Sequence, residues 1–261
     1  METDLIFETH AHYDDDAFSE DREILLKGLP AKGIGRVVNV GASLESCVSS
    51  LKLAEAYDYI YAAVGVHPSD TAPLNEENFE VLRQQAMHPK CVAVGEIGLD
   101  YYWPESDSGI QKKWFERQLE LAGEIKKPVI IHSREACRDT MDIIKAFHAG
   151  ENGGVIHCFS YSKEVAGEYA DMGFYIGIGG VLTFKNARKL KETAEYLPLE
   201  RIVLETDSPY LAPVPNRGAR NSSLNLPYVV RELAAVKGVS EGEVRRITWE
   251  NACRLYRLPV S

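Results

Sequence analysis

Glu8-Thr9-His10-Ala11-His12 directly follows the apolar run Leu5-Ile6-Phe7. In an extended strand, residues two apart project to the same side, so His10 and His12 aim their imidazoles into one small volume. Imidazole is the commonest side-chain metal ligand, and the pair reads as half of a metal site. Two satisfied histidines at a strand end is the plain alternative. What decides between them is whether ligand-type residues recur at equivalent positions further along the chain.

They do. Short apolar runs alternate with longer amphipathic stretches from end to end. The runs are 5–9, 36–40, 61–66, 91–97, 129–132, 154–157, 174–178 and 202–206, which predicts eight strands. Several are rich in Val and Ile, as strands buried on both faces are. Helical spacing predicts helices over 19–32, 44–57, 76–87, 111–126, 139–148, 163–172, 187–196, 226–237 and 241–256. Eight strands with helices between them point to a single (β/α)8 TIM-like barrel, with one additional C-terminal helix after the eighth strand. No composition shift or linker divides the chain, so residues 1–261 are expected to form one domain. An open doubly wound sheet is the competitor, but Gly177-Ile178-Gly179-Gly180 lacks the dinucleotide-binding order and no phosphate-binding Walker sequence occurs.

Placed on these strands, the polar residues gather at one end. Strand 1 ends in His10 and His12, strand 3 in His67, strand 4 in Glu96, strand 5 in His132, strand 6 in His157 and strand 8 in Asp207. Five of the seven histidines therefore sit at C-terminal strand ends, the face on which barrel active sites are built. His10, His12, Glu96, His132, His157 and Asp207 make a ligand set too large for one ion with three or four protein ligands. Two ions sharing Glu96 as a bridge use all six, one with His10, His12 and Asp207, the other with His132 and His157. Such a pair activates a water and clamps the attacking and leaving oxygens of a displacement. Glu96 and Asp207 are the expected catalytic carboxylates, Asp207 also accepting the water's proton. Two divalent ions are expected, magnesium or manganese in function with zinc as the alternative, although imidazole-rich ligation by itself suits zinc, manganese or iron better than magnesium.

Composition is that of an ordinary globular protein, with 45% hydrophobic and 26% charged residues. The net charge of −10 argues against a long, sequence-independent grip on duplex DNA, but not against a small site where bound cations meet phosphate. Five scattered cysteines without a CxxC pair fit reduced thiols rather than a disulfide scaffold. The acidic start Met1-Glu2-Thr3-Asp4 lacks the features of a signal peptide, and no stretch is long and apolar enough for a membrane span. A cytoplasmic location is expected, with no membrane association and no obligate protein partner.

The chain resembles the TatD family of metal-dependent deoxyribonucleases over essentially its whole length. The markers are His10-Ala11-His12, Val64-Gly65-Val66-His67-Pro68, Gly95-Glu96-Ile97-Gly98-Leu99-Asp100-Tyr101, the helix with Gln111, Phe115 and Gln118-Leu119, His132-Ser133-Arg134, His157-Cys158-Phe159-Ser160, Leu204-Glu205-Thr206-Asp207-Ser208-Pro209 and Arg217-Gly218-Ala219-Arg220-Asn221. The resemblance implies a TIM-like barrel, a divalent-metal site on the six residues above, and phosphodiester hydrolysis, typically 3′→5′ on DNA. DNA ends, single-stranded above all, are then the expected substrate. Two positions depart from the family pattern: Glu8 stands where Asp is common, and Tyr161 where Gly is common. Neither removes a proposed ligand.

Other residues carry two readings each. His67 is read as a phosphate or substrate contact, or as structural. Arg134 holds a phosphate oxygen, or is a surface arginine at a helix start. Arg217 and Arg220 bind substrate, or belong to a salt-bridged loop. Glu205 supports the site rather than ligating. Tyr101 and Tyr102 stack a base, or pack the rim. His88 and His148 are expected to be exposed, Asp14-Asp15-Asp16 to form a solvated turn, and Trp114, Phe115 and Trp249 to lie in the core. Two other function classes remain open. One is a hydrolase of the same superfamily cutting an ester or amide, such as a D-aminoacyl-tRNA deacylase. The other is a non-catalytic metal-binding protein.

Overall fold

The computed structural model describes residues 5–103 and 107–260, so the acidic stretch Met1–Asp4 lies outside the described residues. Eight strands follow one another in a single sheet in sequence order: β1 (Ile6–Ala11), β2 (Ile34–Val40), β3 (Ile60–Val64), β4 (Cys91–Asp100), β5 (Val129–Arg134), β6 (Gly154–Ile156), β7 (Phe174–Ile178) and β8 (Ile202–Leu204). Pairing is parallel between β3 and β4, β4 and β5, β5 and β6, and β7 and β8. The end of β8 returns to β1 through the parallel bridge between Ala11 and Ser208 and the bonds from Asp207 N to His10 O (3.0 Å) and from His12 N to Ser208 O (2.8 Å). With helices between its strands, this is the (β/α)8 architecture predicted from the alternation of runs.

By internal packing the chain divides into two compact units. Unit one comprises Met1–Val38, Cys158–Asp171 and Tyr175–Ser261; unit two comprises Asn39–His157 and Met172–Phe174.

Unit two carries helices α2 (Leu44–Ala56), α3 (Glu76–Ala86), α4 (Ser108–Glu124) and α5 (Cys137–Ala146). Its core gathers Cys47, Val64, Val66, Phe79, Leu82, Cys91, Trp114 and Leu121, with the Phe79 and Trp114 rings 5.5 Å apart. Helix α4 starts where Asp107 accepts from Gly109 N (2.8 Å) and Ile110 N (3.0 Å), satisfying donors left over at a helix start. Its buried face includes two glutamines. Gln118 accepts from Val66 N (2.7 Å) and donates to Val66 O (3.2 Å). Gln111 makes the same pair with Asp100 N and O, both at 2.9 Å. These bonds tie the helix to the chain just past β3 and at the end of β4.

Unit one carries α1 (Arg22–Gly28), α6 (Lys163–Asp171), α7 (Arg188–Tyr196), α8 (Leu226–Lys237) and α9 (Glu241–Leu255). The additional C-terminal helix α9 lays Trp249 against Phe7 of β1, ring centroids 5.7 Å apart. Asn251 donates to the carbonyls of Leu199 (2.8 Å) and Ile202 (2.7 Å) at the start of β8. Just past the helix, Tyr256 donates to Thr9 O (2.9 Å). Trp114, Phe115 and Trp249 are buried, as the helical spacing predicted.

Element boundaries shift by one to a few residues from the sequence reading, and three of the shifts have a clear local reason. The helix expected over 19–32 is only α1, because Pro30 cannot continue a helix and a separate 3-10 turn, Pro30–Lys32, follows. Strand β4 runs three residues beyond 97, since Gly98, Leu99 and Asp100 keep pairing with His132, Ser133 and Arg134. Strand β8 stops at Leu204 rather than 206. Past its end, Asp207 takes a left-handed conformation (φ 58°) and donates its N–H to His10 O, where the chain meets β1.

Candidate metal centre

In unit two, His132 of β5 and His157 just past β6 converge on one carboxylate oxygen of Glu96, which lies within β4. Glu96 Oε1 stands 2.9 Å from His132 Nδ1 and 2.7 Å from His157 Nε2, and the two ring nitrogens are 3.3 Å apart. Glu96 and His157 are buried. Ligands of a tetrahedral zinc, each about 2.0–2.2 Å from the ion, are spaced at roughly 3.4 Å, so the donor set is gathered close to the spacing one ion requires. Those three groups qualify together as a candidate metal cluster.

The other ring nitrogen of His132, Nε2, faces Asp100 Oδ2 at 2.9 Å. Sequence reasoning missed Asp100, although a signal existed: it stands four residues after Glu96, on the same face of an alternating strand. His67 Nε2 lies 3.7 Å from Glu96 Oε1, and its ring meets that of His132 edge-on at 4.3 Å. His67 Nδ1 accepts from Ser69 N (3.1 Å), which leaves the proton of a neutral ring on Nε2. Burial pulls the His67 pKa down to about 4, against the pull of Glu96 in the other direction. Burial also acts to lower His132, but the carboxylates of Asp100 and Glu96 outweigh it and leave its pKa raised. Asp100 moves the other way: burial acts to raise its pKa, and the bond to His132 with its neighbouring charge brings it below the usual carboxylate value.

In unit one, His10 Nε2 and His12 Nε2 are 3.1 Å apart, with rings edge-on. The alternation of β1 thus does what the H-x-H spacing predicts. Asp207 Oδ1 stands 3.5 Å from His12 Nε2 and 3.8 Å from His10 Nε2. Two imidazole nitrogens at this separation satisfy each other only when one is protonated; a cation satisfies both, and Asp207 adds the charge such an ion needs.

Glu8 supports this group from behind. Its Oε1 accepts from Thr206 N (2.8 Å) and His10 N (3.3 Å), and its Oε2 accepts from Ser223 Oγ (2.9 Å). Glu8 therefore joins the strand that carries His10 to the turn that carries Asp207. Complete burial pushes its pKa up to about 8 in spite of those donors. Glu205 accepts from Cys158 N (2.5 Å) and lies against Gly177, where any Cβ would meet its carboxylate at 2.3 Å.

The remaining candidates are placed as follows. Arg134 lies at the exposed end of β5 with its guanidinium over the Tyr102 ring. Arg220 pairs with Asp21 (2.6 Å), and Arg217 lies over Phe184. The Tyr101 hydroxyl donates to Asp139 (2.7 Å), which makes it a packing residue. His88 is paired with Glu55 (3.1 Å) rather than simply exposed, whereas His148 is largely in solvent. None of the five cysteines is in a disulfide, and among the described residues no helix is long and apolar enough to cross a membrane.

The chain is similar to known proteins over nearly its whole length. The family model described as TatD related DNase matches residues 7–257. An uncharacterized metal-dependent hydrolase of Bacillus subtilis (strain 168), YabD, is 41% identical over 254 residues, covering 97% of this chain and 100% of the relative. A protein of Musicola paradisiaca (strain Ech703) named 3'-5' ssDNA/RNA exonuclease TatD is 32% identical, covering 92% of this chain and 94% of the relative. The crystal structure of YJJV, a TatD homolog from Escherichia coli K12, superposes with a TM-score of 0.92 at 31% identity, covering 99% of this chain and 100% of that one. With the match running through every strand that carries a candidate ligand, the chain belongs to the TatD family and is a metal-dependent hydrolase.

Proposed function

We propose that this chain is a divalent-metal-dependent exonuclease that shortens DNA from the 3′ end. In this reading His10, His12, Glu96, His132, His157 and Asp207 are the ligands of two ions, and Glu96 is the carboxylate they share. The observation that carries it is the convergence of His132 Nδ1 and His157 Nε2 on Glu96 Oε1 at 2.9 and 2.7 Å. The name of the Musicola relative, an exonuclease of single-stranded DNA and RNA, supports the choice of nucleic acid as substrate. Because the six ligands run from His10 to Asp207, residues 1–261 are taken as one functional unit.

Divalent ions bound there would lower the pKa of water towards 7 and offset the charge of a phosphodiester. The chain's own groups do the rest. Asp207 accepts the proton of the attacking water and is held for that role by its backbone bond to His10. His67 is neutral at physiological pH and donates from Nε2, so it offers a phosphate oxygen a hydrogen bond without a charge. Arg134 supplies the charge at the exposed edge of the same unit.

The test is hydrolysis of end-labelled single-stranded DNA by chelator-stripped protein. Magnesium, manganese and zinc are added back separately, with Glu96→Ala as the control. Metal-restored shortening from the 3′ end, abolished in Glu96→Ala, is expected. Protein that binds metal yet cuts no DNA with any of the three ions would overturn the nuclease reading in favour of an ester or amide hydrolase.

A further inference from the structure

Unit two presents an aromatic surface that the proposed chemistry does not use. Tyr102 and Trp103 are 46% and 50% exposed, with rings edge-on at 4.9 Å. The Arg134 guanidinium lies 3.8 Å from the centroid of Tyr102 and 5.9 Å from that of Trp103. Among the described residues no carboxylate stands within ion-pair distance of Arg134. The two rings hold its guanidinium in place.

The position of this group is not arbitrary. In the β4–β5 register, Gly98 pairs with His132 and Asp100 with Arg134. Arg134 is two residues beyond His132, hence on the same strand face. The Tyr102 backbone N–H donates to Asp100 Oδ1 (2.9 Å), while Asp100 Oδ2 meets His132. Tyr101 N continues the ladder to Arg134 O (2.9 Å). Arg134 therefore lies beyond His132 on the same face, and Tyr102, bonded to Asp100 just past the end of β4, lies under its guanidinium, with Trp103 next in the chain.

We propose that Tyr102, Trp103 and Arg134 form a platform that stacks an unpaired nucleobase near the 3′ end of the substrate, with the Arg134 guanidinium taking the adjoining phosphate. This rests on the nuclease reading and names the residues that would hold the unpaired base. Every base has a π-face, so exposed aromatic rings beside an arginine bind single strands with little regard to sequence. In a duplex both faces of each base are covered by neighbours and cannot reach the rings. On a chain of net charge −10 the attraction must be local, and Arg134 supplies it.

The tryptophans provide a direct readout. The chain has three, and Trp114 and Trp249 are buried to 2% and 4% exposure, so quenching by a bound ligand reports on Trp103. The metal-loaded full chain is titrated with a phosphorothioate-linked oligothymidylate, with the same oligomer made abasic at its last two 3′ positions, and with a blunt duplex. Quenching by the oligothymidylate alone is expected, and Tyr102→Ala should weaken that binding about 5- to 150-fold, the range of base–aromatic stacking. In hydrolysis of ordinary oligothymidylate, Trp103→Ala should raise KM by a similar factor and lower kcat much less. Equal quenching by the abasic oligomer, or a wild-type KM in Trp103→Ala, would overturn the platform. If the wild type cuts DNA but shows neither effect, the platform fails and the nuclease reading stands. Quenching without cutting leaves the platform and removes the nuclease.

Discussion

Asp100 and His132 are joined side chain to side chain at 2.9 Å, Oδ2 to Nε2, while the opposite nitrogen of the same ring faces Glu96 at 2.9 Å. One imidazole thus lies between two carboxylates, and only the nitrogen towards Glu96 and His157 is placed to ligate in the proposed centre. Asp100 accepts the Nε2 proton, which fixes the tautomer and the ring plane and makes Nδ1 a better donor. Asp100→Asn keeps the shape and loses the charge. Metal affinity is expected to fall about 10- to 100-fold, the usual cost of removing such a carboxylate, with the far-UV spectrum unchanged. Competition against a chelating dye measures it, and a wild-type affinity would show that Asp100 does not orient His132.

A second expectation concerns the helix behind the site. Gln118 is wholly buried and takes both the N–H and the C=O of Val66, the residue before His67. Gln118→Leu fills much of the same space but leaves both backbone groups buried without a partner. Each orphaned group costs about 1–3 kcal/mol. The denaturation midpoint should fall accordingly with the m-value unchanged, and a midpoint at the wild-type value would mean that water or a neighbour replaces the amide.

How far the sequence was readable follows from which signals are local. Strand alternation alone places His10 beside His12, and the recurrence of His and Glu along the strands points to His132, His157 and Glu96, which lie together in the structure. The strands themselves were legible because runs such as Val129-Ile130-Ile131 suit no solvent-facing element. What was not legible depended on where strands stop. Strand β4 was expected to end at 97, and that cut removed Asp100 from the face shared with Glu96. Likewise Trp103 went unremarked, since exposure of an aromatic residue is set by the neighbours that fail to cover it, which no local pattern records. Glu8 was readable as a residue behind His10, but its bonds to Thr206 and Ser223, nearly 200 or more positions away, belong to the fold alone.

The tightest backbone approach near the site gives the last expectation. Gly98 sits in β4 with φ +143° and pairs with His132, and a Cβ there would lie 1.9 Å from the His132 carbonyl oxygen. No rotamer relieves that clash, because both partners are backbone. Gly98→Ala must therefore push β4 from β5 at the residue that carries a proposed ligand. Overpacking costs about 1–3 kcal/mol, and a left-handed or extended positive φ adds strain for any residue with a Cβ. Gly123 is the matched control. It lies in the last turn of α4, exposed and with nothing within 4 Å of its would-be Cβ, so Gly123→Ala should stabilise by about 0.5–1 kcal/mol through helix propensity. Thermal melts of the two variants are expected to move in opposite directions from the wild type, with metal content lost only in Gly98→Ala. Were Gly98→Ala to melt at the wild-type temperature and hold its metal, the close approach of β4 and β5 at His132 would not be a requirement of the site.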